Sequence, residues 1–142
     1  MKNWWQQWSY AVIPATCILC ESPAHRGLDL CDACEDELPR IRHRCAICSL
    51  PLPLPATICG RCMLSPPAYQ TSFAAFEYRR PVDQLIRQFK DAHQIVTGRV
   101  LARVMANAYI ETIPRQRWPH RLIPVPLHPR RQQERGFNQS LE

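Results

Sequence analysis

Apolar residues are distributed differently in three stretches of the 142-residue chain. Near the start, Trp4, Trp5, Trp8 and Val12 recur at roughly helical spacing. This predicts a helical segment over 1–16 that packs on a neighbouring module, with membrane contact or nucleic-acid stacking as alternatives. Residues 17–64 carry few large apolar side chains, too few to build a sufficient core alone. Beyond Ser65-Pro66-Pro67, read as a linker and boundary, regular patterning returns. Residues 69–78 (YQTSFAAFEY) approach alternation and suit a strand. Pro81 is placed to open a helix whose stripe is Val82, Leu85, Ile86 and Phe89. A second helix is expected over about 96–111, burying Val96, Val100, Leu101, Val104, Met105 and Ala108, with Pro114 ending it. Residues 121–127 (RLIPVPL) have strand length, although Pro124 and Pro126 cannot donate to a ladder. The polar, basic tail from His128 to Glu142 finishes where another helix would begin.

Strand, helix, helix, strand is the opening of an α/β domain, here assigned to 68–142. A parallel sheet needs both faces covered and several more strands. The expectation is therefore a fragment or truncated product, or a chain completed by another.

Eight cysteines change the reading of the first half. They form four Cys-x-x-Cys pairs, Cys17/Cys20, Cys31/Cys34, Cys45/Cys48 and Cys59/Cys62, with ten residues between each pair and the next. Each pair makes a tight knuckle with both sulfurs on one side, and two facing knuckles complete a tetrahedral four-cysteine zinc site. Four protein ligands leave no open position, so two such zinc ions would be structural. A 28-residue repeat is visible: Cys17-Ile18-Leu19-Cys20 matches Cys45-Ala46-Ile47-Cys48, and Leu30-Cys31-Asp32-Ala33-Cys34 matches Ile58-Cys59-Gly60-Arg61-Cys62. It favours successive sites (17/20/31/34 and 45/48/59/62), because each repeat should fold as a unit. Crossed pairing, first knuckle with third and second with fourth, also fits the spacing. Disulfides, a redox-active pair and an iron–sulfur cluster are the other uses of such cysteines. They would call for an oxidising compartment, a lone pair and a different spacing respectively.

Composition narrows the class. The chain is 46% hydrophobic and 21% charged, which is globular rather than disordered. No stretch approaches the roughly 20 apolar residues that span a bilayer, and the start does not read as a secretory signal. The expectation is a cytoplasmic protein without membrane insertion, its thiols reduced and available to metal. The formal net charge of +6 lies wholly in the second half: twelve Lys/Arg against six Asp/Glu from Ala68 onward, against six of each before it. Two zinc ions on eight thiolates would bring the total to about +2. Sixteen of the eighteen cations are arginine, suited to bidentate contact with phosphate or carboxylate, although plain compositional bias would look the same.

The knuckles, then Tyr78-x-x-Pro81 with Leu85-Ile86-x-x-Phe89-Lys90, then PVPLHPRRQQERGFNQS at 124–140, resemble the ComF family of competence-associated proteins along about residues 14–140. The resemblance implies a double zinc ribbon followed by a type I phosphoribosyltransferase fold, which is Rossmann-like, and a link to DNA uptake or to use of external DNA as a nutrient. It also implies an Asp-Asp pair and a Thr-Thr-Gly loop that would hold phosphoribosyl pyrophosphate. Neither occurs in this sequence, so that ligand is expected only of a full-length relative, and transferase chemistry is not expected of these residues alone.

The remaining candidate site is the basic tail. Arg130, Arg131 and Arg135 flank what reads as a loop before Gly136, Phe137, Asn138 and Gln139. Their guanidinium forks would grip phosphates, with Asn138 and Gln139 beside them, Gly136 allowing close approach and Phe137 stacking on a base. Alternatively the segment is a solvated charged loop anchored by a buried Phe137. Spacing leaves both open, and the resemblance favours anion binding. Lys90 reads as the cation that complements a helix C-terminus, and Glu77 and Asp83 as isolated acids. Three functions compete. The first is an accessory protein that binds single-stranded DNA. The second is a phosphoribosyltransferase whose remainder is missing. The third is a zinc-dependent scaffold for competence or DNA-processing proteins. The oligomeric state is not legible.

Overall fold

The computed structural model describes residues 15–24, 27–54, 57–92 and 94–141. The tryptophan segment expected to be helical over 1–16 lies almost wholly outside the described residues.

A hairpin of β1 (Ala15–Thr16) and β2 (Pro23–Ala24) brackets the first knuckle, pairing antiparallel with Ala15 opposite Ala24. Helix α1 (Asp32–Asp36) follows, and its counterpart α2 (Gly60–Leu64) lies one repeat later. The second half holds α3 (Val82–Asp91), α4 (Ile95–Thr112), a 3-10 turn (Arg115–Arg117) and α5 (Pro129–Arg135).

Helices α3 and α4 form where the apolar stripes place them. Val82, Leu85 and Phe89 are buried on α3; Val100, Val104 and Ala108 are buried on α4, whereas Val96 and Met105, expected on the same side, are exposed. The two helices meet at Gly98. A Cβ there would lie 2.7 Å from Phe89 Cδ2, so only glycine lets the Phe89 ring sit against the helix.

These helices do not pack separately from the first ribbon. Cys17, Ala24, Leu30, Cys31 and Leu38 share one core cluster with Val82, Val100 and Val104, and Phe76 and Ile86 pack against it. The second ribbon has a small cluster of its own, Cys45, Cys59 and Cys62 with Ile47 and Leu52 against them.

Both expected strands of the second half are corrected. Residues 69–78 do not form a strand. They are stitched onto the ribbons instead: Thr71 Oγ1 donates to Ala46 O (2.8 Å), Ser72 N to Ile47 O (2.8 Å), Ser49 Oγ to Ser72 O (2.8 Å), and Arg44 to Ala74 O (3.0 Å). One antiparallel bridge, Arg40 to Phe76, is all the ladder that forms. Residues 121–127 are extended without a ladder partner among the described residues, and Leu122, Ile123 and Val125 are exposed. A strand exists only through its neighbour, and no described segment offers one here. The α/β expectation for 68–142 therefore meets a helical arrangement, in which the described sheet is confined to the first ribbon.

The tail is the third correction. Residues 129–135 are a helix, not a loop. Pro129 occupies the first turn, His128 Nδ1 accepts from Arg130 N, and Gly136 closes the helix in the left-handed region at φ 72°.

Candidate metal centres and basic tail

The two ribbons repeat each other bond for bond. Cys17 N donates to Ser22 O (2.8 Å) as Cys45 N does to Leu50 O (2.9 Å). Ile18 N reaches Asp29 O (3.0 Å) as Ala46 N reaches Thr57 O (2.8 Å). The residue after each first knuckle turns left-handed, Glu21 at φ 61° and Ser49 at φ 58°. Each second knuckle opens a short helix, with Cys31 and Cys59 as the N-caps of α1 and α2. The 28-residue repeat is thus a repeat of backbone geometry.

The sulfurs gather into two clusters, Cys17/Cys20/Cys31/Cys34 and Cys45/Cys48/Cys59/Cys62, each with all Sγ atoms within 4.8 Å of one another. This is the successive arrangement, not the crossed one. Cys20 and Cys31 Sγ lie 3.5 Å apart, Cys48 and Cys59 Sγ 3.7 Å. A tetrahedron with Zn–S bonds of about 2.3 Å has S–S edges of about 3.8 Å, whereas a disulfide needs about 2.05 Å. The donor set therefore fits two structural zinc ions, and all eight thiols are unbridged.

Protonation supports the same fit. Hydrogen bonds from the Ser22 hydroxyl and backbone hold the Cys20 thiol down to about 6, and the backbone N–H groups of Cys48 and Cys59 hold Cys45 down to about 6. Burial pushes Cys34 well above its ordinary value and Cys62 up to about 12. Four sulfurs in one closed cluster cannot all ionise without a cation to offset them, and Zn²⁺ is that cation. The lowered thiols set the pH dependence. Their ordinary value is 9.0, so their stabilising effect is complete above about 9 and is lost as pH falls through about 6. Protons compete with zinc for the same sulfurs. Stepwise acidification below about pH 6 is expected to release zinc and unfold the ribbons together. A chromogenic zinc indicator read alongside circular dichroism checks this, and full zinc retention at strongly acidic pH would contradict it.

The five expected tail residues are brought together only in part. Arg130 and Arg131 both pair with Glu134 (3.3 and 3.1 Å), and their side chains stay 83% and 64% exposed. Arg135 turns inward, 3.8 Å from Asp91 and donating to Gln139 Oε1 at 3.2 Å. Asn138 Nδ2 donates to Val125 O (3.2 Å), and its Oδ1 accepts from Ser140 N (3.0 Å). Phe137 packs on Phe89, ring centroids 5.4 Å apart. Arg135, Phe137, Asn138 and Gln139 therefore fasten the tail to α3 and to the extended segment, while Arg130 and Arg131 face outward. Sequence reasoning missed an aromatic cluster on α4: Tyr109 meets Phe73 edge-on at 5.1 Å and Trp118 at 6.4 Å. Trp118 Nε1 donates to Ile113 O at 2.9 Å. Phe73 is far in sequence from Tyr109 and Trp118, so no local pattern announces the cluster. No helix among the described residues is long and apolar enough to cross a membrane.

Residues 9–63 match the double zinc ribbon domain family. Over 134 residues the chain is 31% identical to the DNA utilization protein YhgH of Escherichia coli K12, covering 90% of this chain and 58% of that protein. It is 32% identical over 136 residues to the DNA utilization protein YhgH of Salmonella typhimurium, with the same coverages. To Competence protein F of Haemophilus influenzae it is 31% identical over 127 residues, 87% of this chain and 55% of that protein. No solved structure matches. The chain spans 58% of the length of the YhgH relatives. With its eight cysteines in two four-sulfur clusters, the first half of the chain is a double zinc ribbon, and the chain is similar along most of its own length to proteins of the ComF family.

Proposed function

We propose that the chain is an accessory component of DNA uptake or utilization, a cytoplasmic zinc-built platform that contacts single-stranded DNA through its basic second half. The observation that carries this is α5. Arg130 and Arg131 project from one short helix beside a single carboxylate, Glu134, so their charge is only partly offset. The names of the relatives supply the process. The zinc sites contribute rigidity, since a closed site of four cysteines has no position for substrate or activated water.

Affinity for oligo(dT) is expected to fall steeply with salt, because binding releases condensed counterions. Replacing Arg130 and Arg131 with alanine together should flatten the slope of log K against log salt by about 1.4, at about 0.7 per single-strand phosphate contact. Fluorescence anisotropy across a salt series reads it. Unchanged binding in the double variant would remove the tail from the function. Arg135→Ala is the control, expected to loosen the tail rather than change the slope.

A second reading concerns longer relatives. The helix pair α3–α4 followed by the extended 121–127 segment supports taking 68–142 as the N-terminal part of a type I phosphoribosyltransferase-like domain, with 17–64 as the ribbon module before it. Phosphoribosyl pyrophosphate would then be a ligand of a full-length relative carrying the Asp-Asp and Thr-Thr-Gly elements. Calorimetry with that compound on a full-length relative and on this chain should give binding to the former only.

A further inference from the structure

The backbone identity of the two ribbons allows a residue-by-residue comparison of their surfaces at an offset of 28. Where the first ribbon has Ser22, Arg26, Glu35 and Asp36, the second has Leu50, Leu54, Met63 and Leu64. These four apolar side chains are exposed, Leu64 by 90% and Met63 by 71%. The fold does not require Leu50, Met63 and Leu64, because the first ribbon makes the same turn and the same helix with Ser22, Glu35 and Asp36 there. A groove of about 490 Å³ at the second four-cysteine cluster is lined by Cys48, Cys59 and Cys62 together with Leu50, Arg61 and Tyr69, which brings Leu50 and Arg61 to one face. Four large apolar side chains exposed on so small a module mark an interaction site.

Charge selects the partner. From Leu38 to Phe76 the chain has no carboxylate and four arginines, whereas Cys17 to Glu37 has six carboxylates and one arginine. Arg40 pairs with Glu35 and Glu111, and Arg44 is spent on the carbonyls of Ile41 and Ala74. Arg42 and Arg61 make no ion pair among the described residues, and Arg61 stands in the groove. An apolar surface that includes the Arg61 guanidinium, in a stretch of sequence without carboxylates, suits an acidic amphipathic segment. A second copy fits less well, since the acidic first ribbon exposes no large hydrophobic side chain among its described residues. Nucleic acid also fits less well, because the patch is aliphatic apart from Tyr69, and bases stack on aromatic rings.

We infer that the second ribbon docks an acidic amphipathic segment of a partner protein on the surface formed by Leu50, Leu54, Met63, Leu64 and Arg61. This docking is separate from the DNA contact of α5. The test uses the zinc-loaded full chain against a random linear peptide library displayed on phage. Met63→Glu with Leu64→Asp installs the residues that the first ribbon carries at these positions, so the fold should survive, and retention of the zinc content found in the unaltered chain verifies that. The selected peptides should combine Leu or Phe with Asp or Glu and bind this variant at least about tenfold more weakly. Arg61→Ala, again the first ribbon's residue, should weaken them and reduce their salt dependence. Oligo(dT) affinity should be unchanged in both variants. An empty selection, peptides that are basic or bind the variants equally, a dimer that the double variant abolishes, or loss of oligo(dT) binding in the variants would each overturn the assignment.

Discussion

Removing zinc with a strong chelator is expected to unfold residues 17–62, with loss of the far-ultraviolet signal of α1 and α2 and rapid proteolysis between the knuckles. The cause is the small apolar content of this stretch. Its second cluster is little more than Cys45, Cys59 and Cys62 with Ile47 and Leu52 against them, so the cysteines themselves are most of the interior. A core of that size does not offset the conformational entropy of the chain it orders. Zinc coordination, on the order of 10–16 kcal/mol per site in comparable peptides, supplies the difference. Chelation therefore removes the largest single stabilising contribution in the molecule. Readdition of zinc should restore the signal, because the ligands are unbridged thiols that a reductant keeps available. An undiminished circular dichroism spectrum after complete metal removal would show that side-chain packing holds the ribbons.

The two sites are expected to differ sharply in reach, and this is the second large effect. Cys31→Ser should disturb α3 and α4 as well as the first ribbon, whereas Cys59→Ser should leave the helix pair intact. Cys17 and Cys31 are buried in the same cluster as Leu30, Leu38, Val82, Val100 and Val104. Releasing the first zinc frees the loops that carry Leu30 and Leu38 and uncovers that face of the helices. Losing a packing partner of that size typically costs several kcal/mol, on the order of 2–5 for one large side chain. The second ribbon touches the rest chiefly through backbone and hydroxyl hydrogen bonds to 71–74, so its loss is more local. Amide hydrogen exchange resolved to α3 and α4 separates the cases. Equal loss of protection in both variants would contradict the shared core.

How much of this is legible in the residues depends on whether a feature is local. The knuckles are, because Cys-x-x-Cys is a turn and a ligand pair within four positions. So are α3 and α4: the stripe Val82, Leu85, Ile86 and Phe89 is a property of one segment, and Val82, Leu85 and Phe89 are buried as expected. Strands are not local. Tyr69 to Tyr78 alternates well enough, yet its donors and acceptors find Ala46, Ile47 and Ser49 rather than a neighbouring strand. Helix α5 is hidden for a different reason. It has no apolar stripe, and its signals are a proline at the first turn, a glycine just past the end and the Arg130–Glu134 pair. Those marks are in the sequence, but without a stripe the segment reads as a loop. Tail anchoring by Phe137 and Asn138 requires knowing that Phe89 and Val125 lie beneath them. The unequal surfaces of the ribbons are legible at the offset of 28, but exposure alone gives the substitution of Glu35 and Asp36 by Met63 and Leu64 its meaning.

Two complete four-cysteine sites for zinc build this chain, and the metal content of purified, reduced protein, read by elemental analysis, decides whether they do. Two zinc ions per chain, with no iron and all eight thiols protected from alkylation until chelator is added, is the predicted result. One zinc or none, or cysteines that alkylate freely in the native protein, would contradict it.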